Sequence, residues 1–239
     1  MDWWFTYTRK SAEIVAATGF PSSRITSVNN SIDTLALTEA KDRISDTELE
    51  ALRLSRGLTG ENIAIYCGGM YPDKKIPFLL TACERIRSRI GNFEVLFIGD
   101  GPDSESVQQF AERHQWAHYL GSLTGDDKVA YFKLAKVQLL PGLVGLAVLD
   151  SFTLGVPMIT TDLPIHRPEF DYIQDGYNGV VTTFAVDAYS NQAIRLLEDE
   201  TWHSKLVEGC LQSATRYSVD NMAINFSEGV RLAITEPSA

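Results

Sequence analysis

The chain has 239 residues, 44% of them hydrophobic, and a formal net charge of −10. That composition fits a globular fold of one large domain, or one domain and a fragment. The acidic balance argues against a nucleic-acid groove, which needs a basic face.

Three scattered cysteines, Cys67, Cys83 and Cys210, give neither a disulfide framework nor zinc spacing. Cys67 lies in an apolar run and reads as a buried thiol. No run approaches the roughly 18 apolar residues of a membrane span. Met1-Asp2-Trp3-Trp4 lacks the basic and then apolar pattern of a signal peptide, so a cytoplasmic protein is expected.

In chain order, residues 2–19 read as a helix stopped by Gly19, and Ile25 to Val28 as a short strand. Such a fragment cannot bury itself, so it must dock on something. Trp3, Trp4 and Phe5 are either a contact surface or packing on the chain's own body. Residues 34–60 are polar and charged and read as a connector, with a helix from Asp46 to a stop at Gly57.

From Asn62 a regular alternation begins. Strands are expected at Ile63–Cys67, Val95–Ile98, His118–Leu120, Val137–Leu140, Met158–Thr160 and Val180–Thr183. Helices are expected between them at Pro77–Ile90, Ser104–Gln115, Asp126–Ala135 and from about Gly145 to Gly155. This βαβα order implies a Rossmann-like, doubly wound parallel sheet in an α/β fold. Three helices close the chain, at Ala188–Leu197, Thr201–Ala214 and Val219–Ile234, with Gly209 and Tyr217-Ser218 as weak points.

Leu139 to Pro157 organises the whole. An apolar strand ends at Pro141, Gly142 and Gly145 follow, and a helix runs to Gly155. Ligands sit at the carboxyl ends of such strands. A helix N-terminus there offers free N–H groups to a phosphate. Gly142 and Gly145 would let the backbone approach a ligand, and Asp150 would accept hydrogen bonds from sugar hydroxyls. An ordinary βα unit with Asp150 on a wet face is the competing reading.

Several stretches together resemble one family, the retaining GT-B glycosyltransferases of family 4, in their C-terminal donor-binding half. Tyr66-Cys67-Gly68-Gly69 with Lys74 resembles that family's glycine-rich turn and lysine. Phe97 to Pro102, Tyr119 to Leu123, Leu140 to Pro157 and Asp175 to Val180 resemble its later turns and donor motif.

The resemblance implies a metal-independent enzyme that takes a hexose from a UDP- or GDP-linked donor, with no other cofactor, and transfers it to a hydroxyl acceptor on a glycan or lipid-linked sugar. It implies Lys74 as the catalytic cation at the donor diphosphate. Gly68, Gly69, Leu123, Gly142, Val144, Gly145, Leu146 and Asp150 would line the donor site. Leu123 would meet the base through its backbone, and Asp150 the ribose. Val144, Gly145 and Leu146 would present backbone N–H groups.

Two positions depart from the pattern. Gly69 stands where many members carry an arginine, and Gly142 where the first of two acidic residues belongs. Residues 1–33 resemble a remnant of the acceptor domain, 34–60 a connector, 61–217 the nucleotide-sugar domain and 218–239 a crossover helix and tail. A non-catalytic module that binds nucleotide sugar, or an enzyme lacking its acceptor domain, is the alternative. Partners implied are a nucleotide sugar and, through residues 1–33 and 218–234, an acceptor-domain chain or a second copy; nothing indicates a membrane.

Overall fold

The computed structural model describes residues 2–235, so Met1 and the expected tail at 236–239 lie outside the described residues. The first element differs from expectation. β1 (Trp4–Thr6) is a strand, and α1 starts only afterwards (Arg9–Ala17). Aromatic and β-branched residues favour the extended chain, and Thr8 fixes the boundary, its Oγ1 accepting the Ser11 N–H at 3.2 Å. β1 pairs in parallel with β2 (Ile25–Ser27).

The segment that reads as a connector holds two helices, α2 (Thr34–Arg43) and α3 (Asp46–Arg56). Asp33 caps the first, and Ser45 with Glu48 forms a reciprocal capping box on the second. Leu37 and Ala40 of α2 are buried against the main domain.

Six parallel strands make the central sheet: β3 (Asn62–Cys67), β4 (Phe93–Ile98), β5 (Ala117–Gly121), β6 (Val137–Leu139), β7 (Met158–Thr161) and β8 (Gly179–Thr182). Their order is β5-β4-β3-β6-β7-β8. The connecting helices are α4 (Ile76–Arg89), α5 (Ser104–Arg113), α6 (Asp126–Leu134) and α7 (Ala147–Leu154). The chain then closes with α8 (Val186–Glu198), α9 (Glu200–Arg216) and α10 (Val219–Thr235). The doubly wound parallel α/β fold is therefore the one the alternation implies.

The central strands are apolar along their length because both sheet faces are covered. In β3, Ala64 and Tyr66 join one core with α4, while Ile63, Ile65 and Cys67 join the other with α2 and α6. That is the period of two expected for a strand. Gly209 does not weaken α9. A side chain there would meet the Tyr177 carbonyl oxygen at 1.9 Å, so the glycine allows α9 to press against the turn before β8.

α10 lies on the β1–β2 pair, with Phe226 on Phe5 at 4.8 Å between ring centroids and Asn225 Nδ2 donating to the Val28 carbonyl at 3.2 Å. Winding proceeds outward from β3 to β4 and β5, then restarts on the other side of β3 at β6. The crevice between the carboxyl ends of β3 and β6 is the topological switch point, where open α/β sheets bind ligands.

Candidate functional site

Two loops meet at this crevice. One follows β3 and carries Gly68, Gly69 and Lys74; the other follows β6 and runs from Leu140 to Leu146 into α7. They are locked together by backbone, with the Leu143 N–H donating to the Asp73 carbonyl at 2.9 Å. Gly142 makes this approach possible. A Cβ at that position would lie 2.2 Å from the Asp73 oxygen and 2.6 Å from the Lys74 Cα. The close approach at Gly142 is thus to the neighbouring loop and not to a ligand, and it leaves no room for an acidic side chain.

Lys74 is buried beneath this contact, only 5% exposed. Its Nζ donates to the Leu143 carbonyl at 2.6 Å and lies 5.5 Å from the Tyr71 ring centroid. Among the described residues it forms no ion pair. Burial, helped by the positive field of Arg167, lowers its pKa to about 8. The next residue, Lys75, holds a left-handed backbone at φ 58°, a sparsely populated conformation of the kind that concentrates at functional sites.

Gly68 lies beside Lys74: a Cβ there would be 3.9 Å from Nζ. Gly69 is covered by Tyr71, whose ring would be 2.8 Å from a Cβ. The arginine absent from position 69 thus has an aromatic ring in its path.

At the start of α7, the amides of Gly145 and Leu146 have no protein acceptor among the described residues. Val144 differs from expectation, because its N–H donates to His166 Nδ1 at 3.0 Å. His166 Nε2 donates in turn to the Thr161 carbonyl at 2.7 Å. Both ring nitrogens are committed, which fixes the neutral tautomer. Burial lowers the imidazole pKa, outweighing the Thr161 carbonyl. His166 therefore pins the loop after β7 to the entrance of α7, stacked on Phe170 at 4.1 Å.

The same loop brings Arg167. Its N–H donates to the Val144 carbonyl at 2.9 Å, and its Cγ lies 3.6 Å from where a Gly145 Cβ would be. Its guanidinium is exposed and has no ion pair among the described residues.

Asp150, in the first turn of α7, is buried and not on a wet face. Both carboxylate oxygens accept from Lys128 Nζ, at 2.7 and 2.8 Å. Burial pushes its carboxyl pKa up, and Lys128 opposes that. The side chain of Leu123 packs toward α3, against the second core. The crevice thus gathers Lys74, Gly145, Leu146 and Asp150. Sequence reasoning missed Lys128 and Arg167, whose approach depends on which loops the sheet order brings together.

Residues 61–199 match the model of a family described as glycosyl transferases group 1. The chain belongs to that family. It is 25% identical over 223 residues to the O-antigen chain mannosyltransferase B of Escherichia coli, covering 88% of this chain and 55% of that protein. It is 23% identical to the alpha-D-kanosaminyltransferase of Streptomyces kanamyceticus, covering 75% of this chain and 49% of that one. The chain therefore spans about half the length of these two relatives.

The fold is shared with Alr3699/HepE of Anabaena in complex with UDP, at a TM-score of 0.77 and 14% identity over 96% of this chain and 64% of that one. A glycosyltransferase from Rickettsia africae matches at a TM-score of 0.78 and 12% identity, over 97% and 64% of the two chains. This group 1 member carries the Rossmann-like half of the GT-B architecture. Among the described residues no helix is long and apolar enough to cross a membrane.

Proposed function

We propose that this chain is the donor half of a retaining family 4 glycosyltransferase and binds a nucleoside diphosphate sugar at the β3/β6 crevice. The observation that carries the reading is Lys74, a buried ammonium with no carboxylate partner among the described residues, near the amides that begin α7 and have no acceptor among them. A cation held without a counter-ion at a helix N-terminus is a site for an anion. The diphosphate would lie over Lys74, Gly145 and Leu146, with Arg167 as a second cation reaching in from the loop after β7. Asp150 would take the ribose hydroxyls, and the Leu123 backbone the base.

In transfer, the bond from the sugar's anomeric carbon to the diphosphate oxygen breaks while a bond to an acceptor hydroxyl forms. Charge builds on the leaving diphosphate, and fixed positive groups there stabilise it. The relatives' names support sugar transfer, and the UDP complex of Alr3699/HepE supports UDP as the first donor to try. No cofactor beyond the nucleotide sugar is proposed.

One observation favours a second reading, a module that binds nucleotide sugar without turnover. Gly142 is packed so tightly on Lys74 that the acidic residue expected there has no place. Acceptor binding would then need a partner on the β1–β2 and α10 surface. There Phe5, Tyr7, Val28, Met222 and Phe226 line an apolar cavity of about 320 Å³. A second copy or an acceptor-domain chain would fit it.

The test is a thermal-shift panel of UDP, GDP, ADP and their hexose conjugates, followed by a transfer or hydrolysis assay. A ligand that binds only the folded state raises Tm by mass action. Stabilisation by one nucleotide, lost in Lys74→Ala, supports the donor site. Binding without hydrolysis or transfer favours the second reading, and no shift with any nucleotide refutes both.

A further inference from the structure

Lys128 stands where helix electrostatics disfavour it. It is in the first turn of α6, behind Asp126 and Asp127, and a helix N-terminus repels a cation. The cost is offset across the crevice wall. Lys128 Nζ donates to both oxygens of Asp150, which lies in the first turn of α7. The pair is not sealed, since the Lys128 side chain is 18% exposed and that of Asp150 is 8% exposed.

A carboxylate has about four lone-pair directions. Lys128 uses one on each oxygen, so each keeps one for a further donor. Two hydroxyls on adjacent carbons are the ligand group that fits such a pair.

We infer that Lys128 is a positioning residue that keeps Asp150 ionised and oriented for the vicinal hydroxyls of a ribose, and so makes the site prefer ribonucleoside over 2′-deoxyribonucleoside diphosphates. This rests on the donor-site reading above. Without Lys128 the buried Asp150 carboxyl would hold its proton to higher pH, and a neutral acid is the poorer acceptor for two hydroxyls. Cys67, at the end of β3, is a further titratable group near the pair, and burial pushes its thiol up to about 12, so it stays neutral. The Lys74 ammonium also lies within electrostatic reach of Cys67. Asp126 is turned away, paired with Arg43 at 2.7 Å.

The experiment is calorimetric titration of UDP and GDP and their 2′-deoxy counterparts at pH 5.5 and pH 8. It uses the wild type, Lys128→Met, Lys128→Arg and Asp150→Asn, each checked for folding by circular dichroism. The wild type is expected to prefer ribose by about tenfold, the scale of one hydrogen bond to a charged group. Lys128→Arg should keep that preference, and Asp150→Asn should lose it at both pH values. Lys128→Met should lose more of it at pH 5.5 than at pH 8, because without the ammonium the buried carboxyl takes up a proton more readily.

If Lys128→Met does not fold, the Lys128→Arg and Asp150→Asn pair decides. A ribose preference unchanged in Lys128→Met, or lost in a folded Lys128→Arg, overturns the inference. So does a preference that survives in Asp150→Asn. A wild type that binds UDP or GDP without ribose preference overturns it while leaving the diphosphate site standing. A wild type that binds neither overturns the donor-site reading as well.

Discussion

Replacing Gly142 by alanine tests how Lys74 is held. The added Cβ would lie 2.2 Å from the Asp73 oxygen, 2.4 Å from the Lys74 carbonyl carbon and 2.6 Å from the Lys74 Cα, where ordinary contact begins at 3.4 Å. All three are backbone atoms, so no rotamer change relieves the overlap, and the Asp73–Lys74 peptide must move by about 1 Å. Such overpacking costs about 1–3 kcal/mol. The shift also strains the Leu143 N–H bond to Asp73 and the Lys74 bond to the Leu143 carbonyl, and a net hydrogen bond is worth about 1 kcal/mol. The expected loss is about 2–4 kcal/mol, or roughly 5–15 °C in Tm for a chain of this size. A misplacement of about 1 Å in a positioning group can cost on the order of a hundredfold, so UDP affinity should fall between about tenfold and a hundredfold. Urea unfolding and calorimetry measure both. Gly145→Ala is the control for stability, because its Cβ meets only Arg167 side-chain atoms at 3.6 and 3.8 Å. Wild-type stability and affinity in Gly142→Ala would refute the locked-loop account, as would an equal loss of stability in Gly145→Ala.

Lys74→Ala should weaken nucleoside diphosphate binding by about tenfold to a hundredfold, the scale of a lost charged hydrogen bond, as read by calorimetry at pH 7. Because burial lowers the Lys74 pKa to about 8, wild-type affinity should fall as pH rises through that value, and the variant should show no such fall. The same shift has an opposite sign in stability. Between pH ~8 and the unfolded lysine value of ~10.4, the unfolded chain holds more protons, so this residue's contribution rises with pH over that window. Urea midpoints across pH 7–10 would show it. Glu94→Gln removes a buried carboxylate that accepts from the backbone N–H groups of Thr59 and Gly60 and meets His118 Nε2 at 2.8 Å. Burial pushes that carboxyl up, but these bonds together hold its pKa below the usual value. The variant should lose about 2 kcal/mol near neutral pH, and because the wild-type contribution disappears as pH falls through the lowered folded pKa, the two midpoints should converge in acid. His166→Ala should leave the Val144 N–H and the Thr161 carbonyl unpaired and cost about 1–3 kcal/mol, measured by urea unfolding.

The sheet was legible because a parallel sheet covered on both faces writes itself as apolar runs of four to six residues punctuated by glycine turns. Every strand from Asn62 to Thr182 is where that pattern puts it, within a residue or two. The misreadings lie where packing decides. Trp4-Phe5-Thr6 has only three residues of strand, too short for a period to distinguish it from the helix that follows. Gly209 carries a low helix propensity, yet its meaning is set by a carbonyl 32 residues away in sequence that α9 must pass closely.

The site divides the same way. Gly145 and Asp150 were visible because strand ends, helix starts and glycines mark where backbone amides lie open, and Lys74 was visible only through the resemblance of its turn to the family's. Lys128, Arg167 and the loop-pinning role of His166 were not, because no local pattern says which side chain crosses from one βα loop to the next. His166 and Arg167 reach the crevice because β6 lies beside β7, which brings the loop after β7 over the entrance of α7, and Lys128 reaches it from α6, which packs on α7. The same three residues divide the work there: His166 uses up the Val144 amide, the Arg167 guanidinium has no ion pair among the described residues, and Lys128 saturates half of Asp150. On the proposed reading the crevice offers two cations and two amides to an anion, and a carboxylate with two free directions to hydroxyls. That asymmetry is what a nucleoside diphosphate presents, charge at one end and a diol at the other.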